Sequence, residues 1–321
     1  MFLLRRGAGL SNDIIPLVER LLKDVAARVA STPDQRARQS VMIAELQSVL
    51  TAAYAQIDDV ATQGLLELAE YEADFQERLY NTVASVSFAS PAIEQLAAII
   101  ETDPLDIEPG RQITIRQALR EYSAKKQRQI TRTITDGIAQ QQTNAEISQA
   151  LRELEPLHKR QADSLVRTVA NGTADATKRR FSAENAQYLQ GERYVATLDS
   201  RTTITCASFD GQVFPIGEGP RPPQHYNCRS LRISVVRDDL QLPGFEGERP
   251  LKGDDGPGTT SARTTYSGFL RNQSKEFQDE VLGPERAKLF RSGKVTLGKM
   301  VDEMGDPLTV AQIREREGLV F

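Results

Sequence analysis

The sequence predicts an α+β chain that is mostly α: long helices, a small antiparallel sheet in residues 192–236, and a helical C-terminal module. Three observations carry that prediction. Apolar residues recur at spacings of three and four as far as about Tyr188, which is helical periodicity. After Gly191 the spacing drops to two, with Tyr194, Ala196 and Leu198 alternating against Arg193, Val195 and Thr197. Both cysteines of the chain, and one of its two histidines, then fall in the turn-rich stretch Tyr194–Val236.

Taken in order, Ile14, Leu17, Val18, Leu21, Leu22 and Val25 predict a helix from Ser11 to about Ala30, capped by Ser11 or Asn12. A second helix begins near Val41 and a third follows Gly64, giving an N-terminal helical bundle over residues 1–109. Pro91 opens a short helix ending near Glu101, and the breakers from Asp103-Pro104 to Pro109-Gly110 mark a domain edge. Ile115, Leu119, Tyr122, Ile130, Ile134 and Ile138 form one stripe of a helix over 112–140, with Lys126 its only charged member and its stem free to snorkel. Thr143-Asn144-Ala145-Glu146 has capping-box spacing before another helix that Pro156 limits. A further helix runs from His158 to about Tyr188, weakened by Asn171-Gly172, with His158 read as a surface residue.

The strands of the sheet are expected at Tyr194–Leu198, 212–214 and 231–235, with Asp210-Gly211 as a turn. Gly217–Pro223 cannot be helical and should return His225 and Cys228 toward Cys206. Residues 110–236 make the second domain on this reading, 237–265 a flexible linker rich in Gly and Pro, and 266–321 the C-terminal helical module.

Composition narrows the class. Length, 321 residues, suffices for two or three packed units, and the absence of Trp suits a helical body better than a sandwich. No apolar run approaches the roughly 18 residues of a bilayer span, and Met1–Arg6 lacks a secretory h-region, so no membrane partner is expected. Two cysteines do not make a disulfide framework, and a reducing compartment favours free thiols or metal ligands. Charge is uneven: residues 41–110 hold one base against thirteen acids, and residues 111–180 hold fourteen bases against seven. Such a split fits internal docking of one segment on the other, or a polyanion such as duplex DNA, for which Lys178, Arg179 and Arg180 are the candidate contacts.

Two thiols and an imidazole at Cys206, His225 and Cys228 are the ligand types zinc prefers. Three ligands leave a fourth position for Asp199, Asp210 or water; the competing reading is a hydrogen-bonded loop with no cofactor. A nucleophilic site, Cys206 activated by His225, needs a third group to orient the base, with Asp199, Asp210 and Asn227 as candidates. That is the hydrolase alternative, of the nuclease or peptidase kind. Phosphate-loop, His-Glu-x-x-His and dinucleotide fingerprints are absent from the sequence.

Read together, Thr197-Leu198-Asp199-Ser200-Arg201-Thr202, Cys206, Asp210-Gly211, Val213-Phe214, Pro222-Pro223-x-His225 and Asn227-Cys228-Arg229 resemble the signature of the phage Mu protein F-like family. These are minor head, or head-morphogenesis, proteins of tailed bacteriophages. The likeness covers about residues 130–236, and the C-terminal Tyr266-x-x-Phe269-Leu270 and Val281-Leu282-Gly283 are similar to an extension many members carry. Many members have further cysteines near the positions of Thr203 and Ser230, which this chain lacks. The resemblance implies a non-enzymatic, low-copy protein of the virion head interior, present in the host cytoplasm during assembly. Its implied partners are the portal protein, major capsid or scaffold proteins, and packaged double-stranded DNA; its implied structural residues are Asp199, Arg201, Thr202, Asp210, Gly211, Pro222, Pro223, Asn227 and Arg229.

Overall fold

The computed structural model describes residues 2–33, 36–108, 111–244 and 247–319, with the side chains of 2–6, 36–40 and 108 left aside. It is mostly helical with three small sheets among the described residues. Two long helices come first, α1 (Phe2–Ser31) and α2 (Arg36–Val83), then the short α3 (Ile93–Thr102). The start of α1 precedes Ser11, so Ser11 is an interior residue, buried, and not a cap. Gly64 does not divide α2. A Cβ there would sit 2.5 Å from Leu10 Cδ1, so the glycine serves close approach of α1 to α2.

The breaker cluster contributes an antiparallel pair, β1 (Pro104–Glu108) with β2 (Arg111–Thr114), while Pro109-Gly110 lie outside the described residues. Thr114 caps α4 (Ile115–Ala139), and the predicted Thr143–Glu146 box opens α5 (Asn144–Glu153). Helix α6 (Glu155–Glu184) tolerates Asn171-Gly172 because both residues make contacts that a better helix former could not. Gly172 lies against Leu105, where a Cβ would clash, and Asn171 donates to the carbonyls of Cys228 and Ser230. One apolar cluster runs through these elements from Leu10 to Ala176. It crosses the edge expected near 109–110, since α1 and α2 bury their stripes on α5 and α6. His158, expected at the surface, is fully buried, and so is Lys126, whose Nζ meets Gln129 and Gln161 instead of snorkelling out.

After α6 the chain forms β3 (Leu189–Val195), β4 (Leu198–Asp199), the short α7 (Ile204–Phe209), β5 (Val213–Phe214) and β6 (Leu231–Val236). Strands β5, β3 and β6 make the expected antiparallel sheet, in that order, with the inner face of β6 on α6. Residues 237–265 are more than a linker. They contain a hairpin of β7 (Glu248–Gly253) and β8 (Gly256–Ser261), and β7 pairs in parallel with β4. Asp254-Asp255 make its turn, and Gly256, at φ +89°, resumes the strand. The C-terminal helices are α8 (Tyr266–Arg271), α9 (Lys275–Leu282), α10 (Pro284–Arg291) and α11 (Val310–Arg316). Their core includes Leu198 and Ala207, so the module expected to stand apart shares its interior with the signature stretch. Among the described residues no helix is long and apolar enough to cross a membrane.

Candidate functional site: a buried thiol and imidazole knuckle

The site is assembled by three pieces of chain. Thr203 caps α7 by accepting from the Cys206 amide, which fixes Cys206 on the first turn, facing inward. The loop from Gly217 to Gln224 returns over α6 through a cis Pro222–Pro223 bond, with both prolines buried. Asn227 then adopts φ +59°, a left-handed conformation that Asn tolerates, while its amide donates to Thr168 Oγ1 and its side chain to Ser164 Oγ on α6. Cys228 is thereby turned toward Cys206.

The three expected groups converge. Cys206 Sγ lies 3.7 Å from Cys228 Sγ and 3.5 Å from His225 Nε2. All three ligand atoms lie within 4.8 Å of one another. His225 Nδ1 is 2.9 Å from the Tyr226 carbonyl, which selects the Nδ1–H tautomer and leaves the Nε2 lone pair facing the sulfurs. Tyr194, fully buried, donates its hydroxyl to Cys206 Sγ at 3.3 Å. The hydrogen bond from Cys228 holds the Cys206 thiol well below its ordinary range, with His225, Ser230 and Tyr194 assisting against burial. Cys228 is pushed up correspondingly by Cys206 and by burial, and the bond to Cys206 raises His225 against burial.

Two of the three edges of this cluster, those from Cys206 Sγ, match a tetrahedral metal, while Cys228 Sγ and His225 Nε2 are held only to within 4.8 Å of each other. At about 2.3 Å from sulfur and about 2.05 Å from nitrogen, zinc would set S···S near 3.8 Å and S···N near 3.6 Å. The observed 3.7 and 3.5 Å are those edges within a tenth of an ångström or so. Thr203 Oγ1 lies 3.2 Å from His225 Nε2, so it also faces the ring nitrogen that would bind a metal. A cavity of about 10 Å³, room for about one water, lies beside Cys206, His225, Thr203 and Ser230; Cys228 does not line it.

Neither aspartate offered for that fourth position reaches it. Asp199 is taken by Arg229, which forks onto both its oxygens, and by the Arg201 amide. Burial works to raise the Asp199 pKa, but Arg229 and Arg201 outweigh it and hold the carboxylate low. Thr202 closes the same turn, donating to the Thr197 carbonyl at 2.5 Å. Asp210 accepts from the amides of Ala196 (2.6 Å) and Tyr266 (2.5 Å) and from the Arg249 guanidinium (3.0 Å). Gly211, at φ +84°, lets the turn after Asp210 pass Thr265, which a Cβ would strike. Asp199, Asp210 and Asn227 also do not orient His225; the Tyr226 carbonyl does.

Cys206, His225 and Cys228 lie within the stretch that a family model matches. The model of the phage Mu protein F like protein matches residues 128–233. Residues 128–233 are a phage Mu protein F-like domain. No curated protein and no solved structure matches the chain.

Within the Mu F-like domain a second knot of charge pins the returning loop. Arg221 bridges Asp175 at 2.8 Å and Glu192 at 2.6 Å, while Arg232, wholly buried over the Phe214 ring, reaches Glu192 and the Glu218 carbonyl. The three cations offered for DNA face inward. Lys178 is buried against Glu72 at 3.4 Å, and Arg179 and Arg180 both clasp the buried Asp103. Acidic segment and basic segment are joined here, which answers part of the charge split by internal docking.

Sequence reasoning missed Arg249, Asn171 and Thr168. Arg249 sits in the stretch read as linker, 39 residues beyond Asp210. The Asp254-Asp255-Gly256 stretch between two short runs was the one signal for its strand. Asn171 and Thr168 lie on a helix whose periodicity says only which residues face in.

Proposed function

We propose that the protein is a minor capsid protein of a tailed-phage head, low in copy and bound to the portal on the head interior, acting in assembly and in DNA packaging or delivery. The observation that supports this best is how the signature residues are used. Arg229 holds Asp199, Arg249 holds Asp210, Cys206 meets both His225 and Cys228, and the cavity beside Cys206 and His225 is about 10 Å³. A nucleophilic site needs room beside the sulfur for a substrate carbonyl and its oxyanion donors. The hydrolase reading lacks that room. Zinc bound by Cys206, His225 and Cys228 would be structural, cross-linking α7 to the returning loop and stiffening the strands on either side.

Beside that stiffened element lies an open groove of about 570 Å³. Phe75 and Leu79 of α2, Ile233 of β6 and Leu251 of β7 supply apolar walls, and three of the four are substantially exposed. Arg201 and Lys252 stand exposed at its rim. An apolar patch rimmed by cations suits an apolar segment flanked by carboxylates. We assign that segment to the portal protein, with major capsid or scaffold proteins as further contacts of the assembled head.

Two measurements test this reading. Protein purified without chelator should carry close to one zinc per chain, and Cys206→Ser should carry almost none; less than about a tenth of an equivalent in the unmodified protein removes the metal. Co-expressed with the portal protein of its own phage, the chain should elute as a complex. Leu79→Asp with Ile233→Asp should abolish the complex while zinc content and helicity stay unchanged. A complex that survives that double change places the portal contact elsewhere.

A further inference from the structure

A second groove, about 540 Å³, has the opposite chemistry. It runs between α2 and α4, with Leu50 as its floor. Its walls are Gln47 and Thr51 on one side and Gln127, Arg128, Thr131, Arg132 and Thr135 on the other. The lining includes two guanidiniums, three hydroxyls and two amides, and no carboxylate. Lys125 extends the cationic row beyond the groove and is exposed, as are Arg128 and Arg132. At about 100° per residue, Lys125, Arg128, Arg132 and Thr135 fall within about 80° of each other, on a row of about 15 Å.

The pairing pattern distinguishes this row from the basic residues used inside the fold. Lys178, Arg179 and Arg180 each meet a buried carboxylate, whereas Lys125 and Arg128 lie within ion-pair distance of none among the described residues. Arg132 meets only Asp136, one turn along its own helix at 3.2 Å and exposed, a contact worth little in water. With a net charge of −4 the whole chain does not attract a polyanion, so any attraction must be local. Screening over about 8 Å at physiological salt makes local charge the quantity that matters.

We infer that this groove binds the sugar–phosphate backbone of duplex nucleic acid, with Lys125, Arg128 and Arg132 on phosphates and Thr131 and the two glutamines donating to phosphate oxygens. Arg, Lys, Thr and Gln are the side chains that position a protein on a backbone without reading bases. An acidic protein segment is the less suitable partner because the groove exposes no aromatic or aliphatic anchor, which protein interfaces need at their centre. Binding is therefore sequence-independent and governed by counterion release. Three phosphate contacts give a slope of about −2.7 in log affinity against log salt, a loss of about 40-fold between 50 and 200 mM.

The test is fluorescence anisotropy of the full chain with a labelled 30-base-pair duplex at several salt concentrations. The double variant Lys125→Glu, Arg128→Glu should bind more weakly and with a slope near −0.9, so that the same salt step costs only about 3.5-fold. A control with the same charge change on exposed cations elsewhere, Arg263→Glu with Lys294→Glu, should keep the original slope. Circular dichroism checks that both variants remain helical. No duplex binding at 50 mM salt overturns the assignment, as does a control that loses as much affinity and slope as the α4 variant. Neither outcome bears on the portal complex, which uses the other groove.

Discussion

The helical body and the Mu F-like knuckle are both well buried, yet they are held by different forces. In the body, α1, α2 and α4–α6 share a continuous apolar cluster in which Val18, Leu65 and Ile134 are almost completely covered. Such burial is non-directional, at roughly 25 cal/mol per Å², and a neighbour of similar size can replace most members. Around the knuckle the largest wholly buried side chain is Arg232, and Asp199, Asp210, Asp175 and Glu192 are each closed over by arginine. Those contacts are directional. The difference teaches that the body will yield gradually to substitution, whereas the knuckle will fail at single positions.

The sharpest way to break that contrast is Asp210→Ala. It removes the acceptor for two backbone amides and leaves Arg249, itself buried, without its carboxylate. Breaking one side of a buried pair costs about 3–5 kcal/mol, more than a conservative change such as Ile134→Val at about 1 kcal/mol. Urea denaturation of both variants checks this. Equal midpoints would mean that the knuckle is as tolerant as the body.

Within the body one place behaves like the knuckle, and pH exposes it. His158 is buried with Nε2 on Gln129 at 3.1 Å, and its Nδ1 has no partner among the described residues. Burial, and then the charge of Lys126, lower its pKa from 6.5 to about 4. Lys126, lowered by burial and by Lys125, still stands at about 8 and so remains charged in that range. The folded state thus resists a proton that the unfolded state accepts. Stability is complete above about pH 6.5 and falls as pH drops from there to about 4, by about 3 kcal/mol. His158→Gln should remove most of that slope between pH 6.5 and 4; a slope that persists unchanged assigns it to other groups.

What could be read from the sequence follows the same division. The stripes of α4 and α5, the capping box at Thr143, and the β5–β3–β6 sheet were legible because helix and strand periods act over neighbouring residues. The convergence of Cys206, His225 and Cys228 was legible because a loop rich in Gly and Pro lies between them. Gly64 misled, because a close helix contact and a helix break ask for the same residue and only Leu10, 54 positions away, distinguishes them. Arg249 and Lys178–Arg180 were illegible for a related reason: a cation's sequence neighbours do not say whether its carboxylate lies across a core or a phosphate lies outside. Register between distant strands, such as β4 with β7, leaves no local trace at all.

The smallest expected effect tests the legible side. Thr143 accepts from the Glu146 amide at 3.3 Å, and Glu146 accepts from the Thr143 amide at 2.7 Å, which satisfies two of the open donors at the start of α5. Hydrogen bonds from the Thr143 backbone and then its side chain lower the Glu146 pKa, so its part of the box is present near neutral pH and is lost as acid protonates it. Thr143→Ala should cost about 1 kcal/mol, read as a shift in urea midpoint with no change in slope. Because α5 packs on α1 through Ile147 and Leu151, both fully buried, the helix should persist when the cap is gone. Loss of α5 itself, seen as fast amide exchange from Asn144 to Glu153, would mean that local capping and not the apolar stripe holds this part of the body.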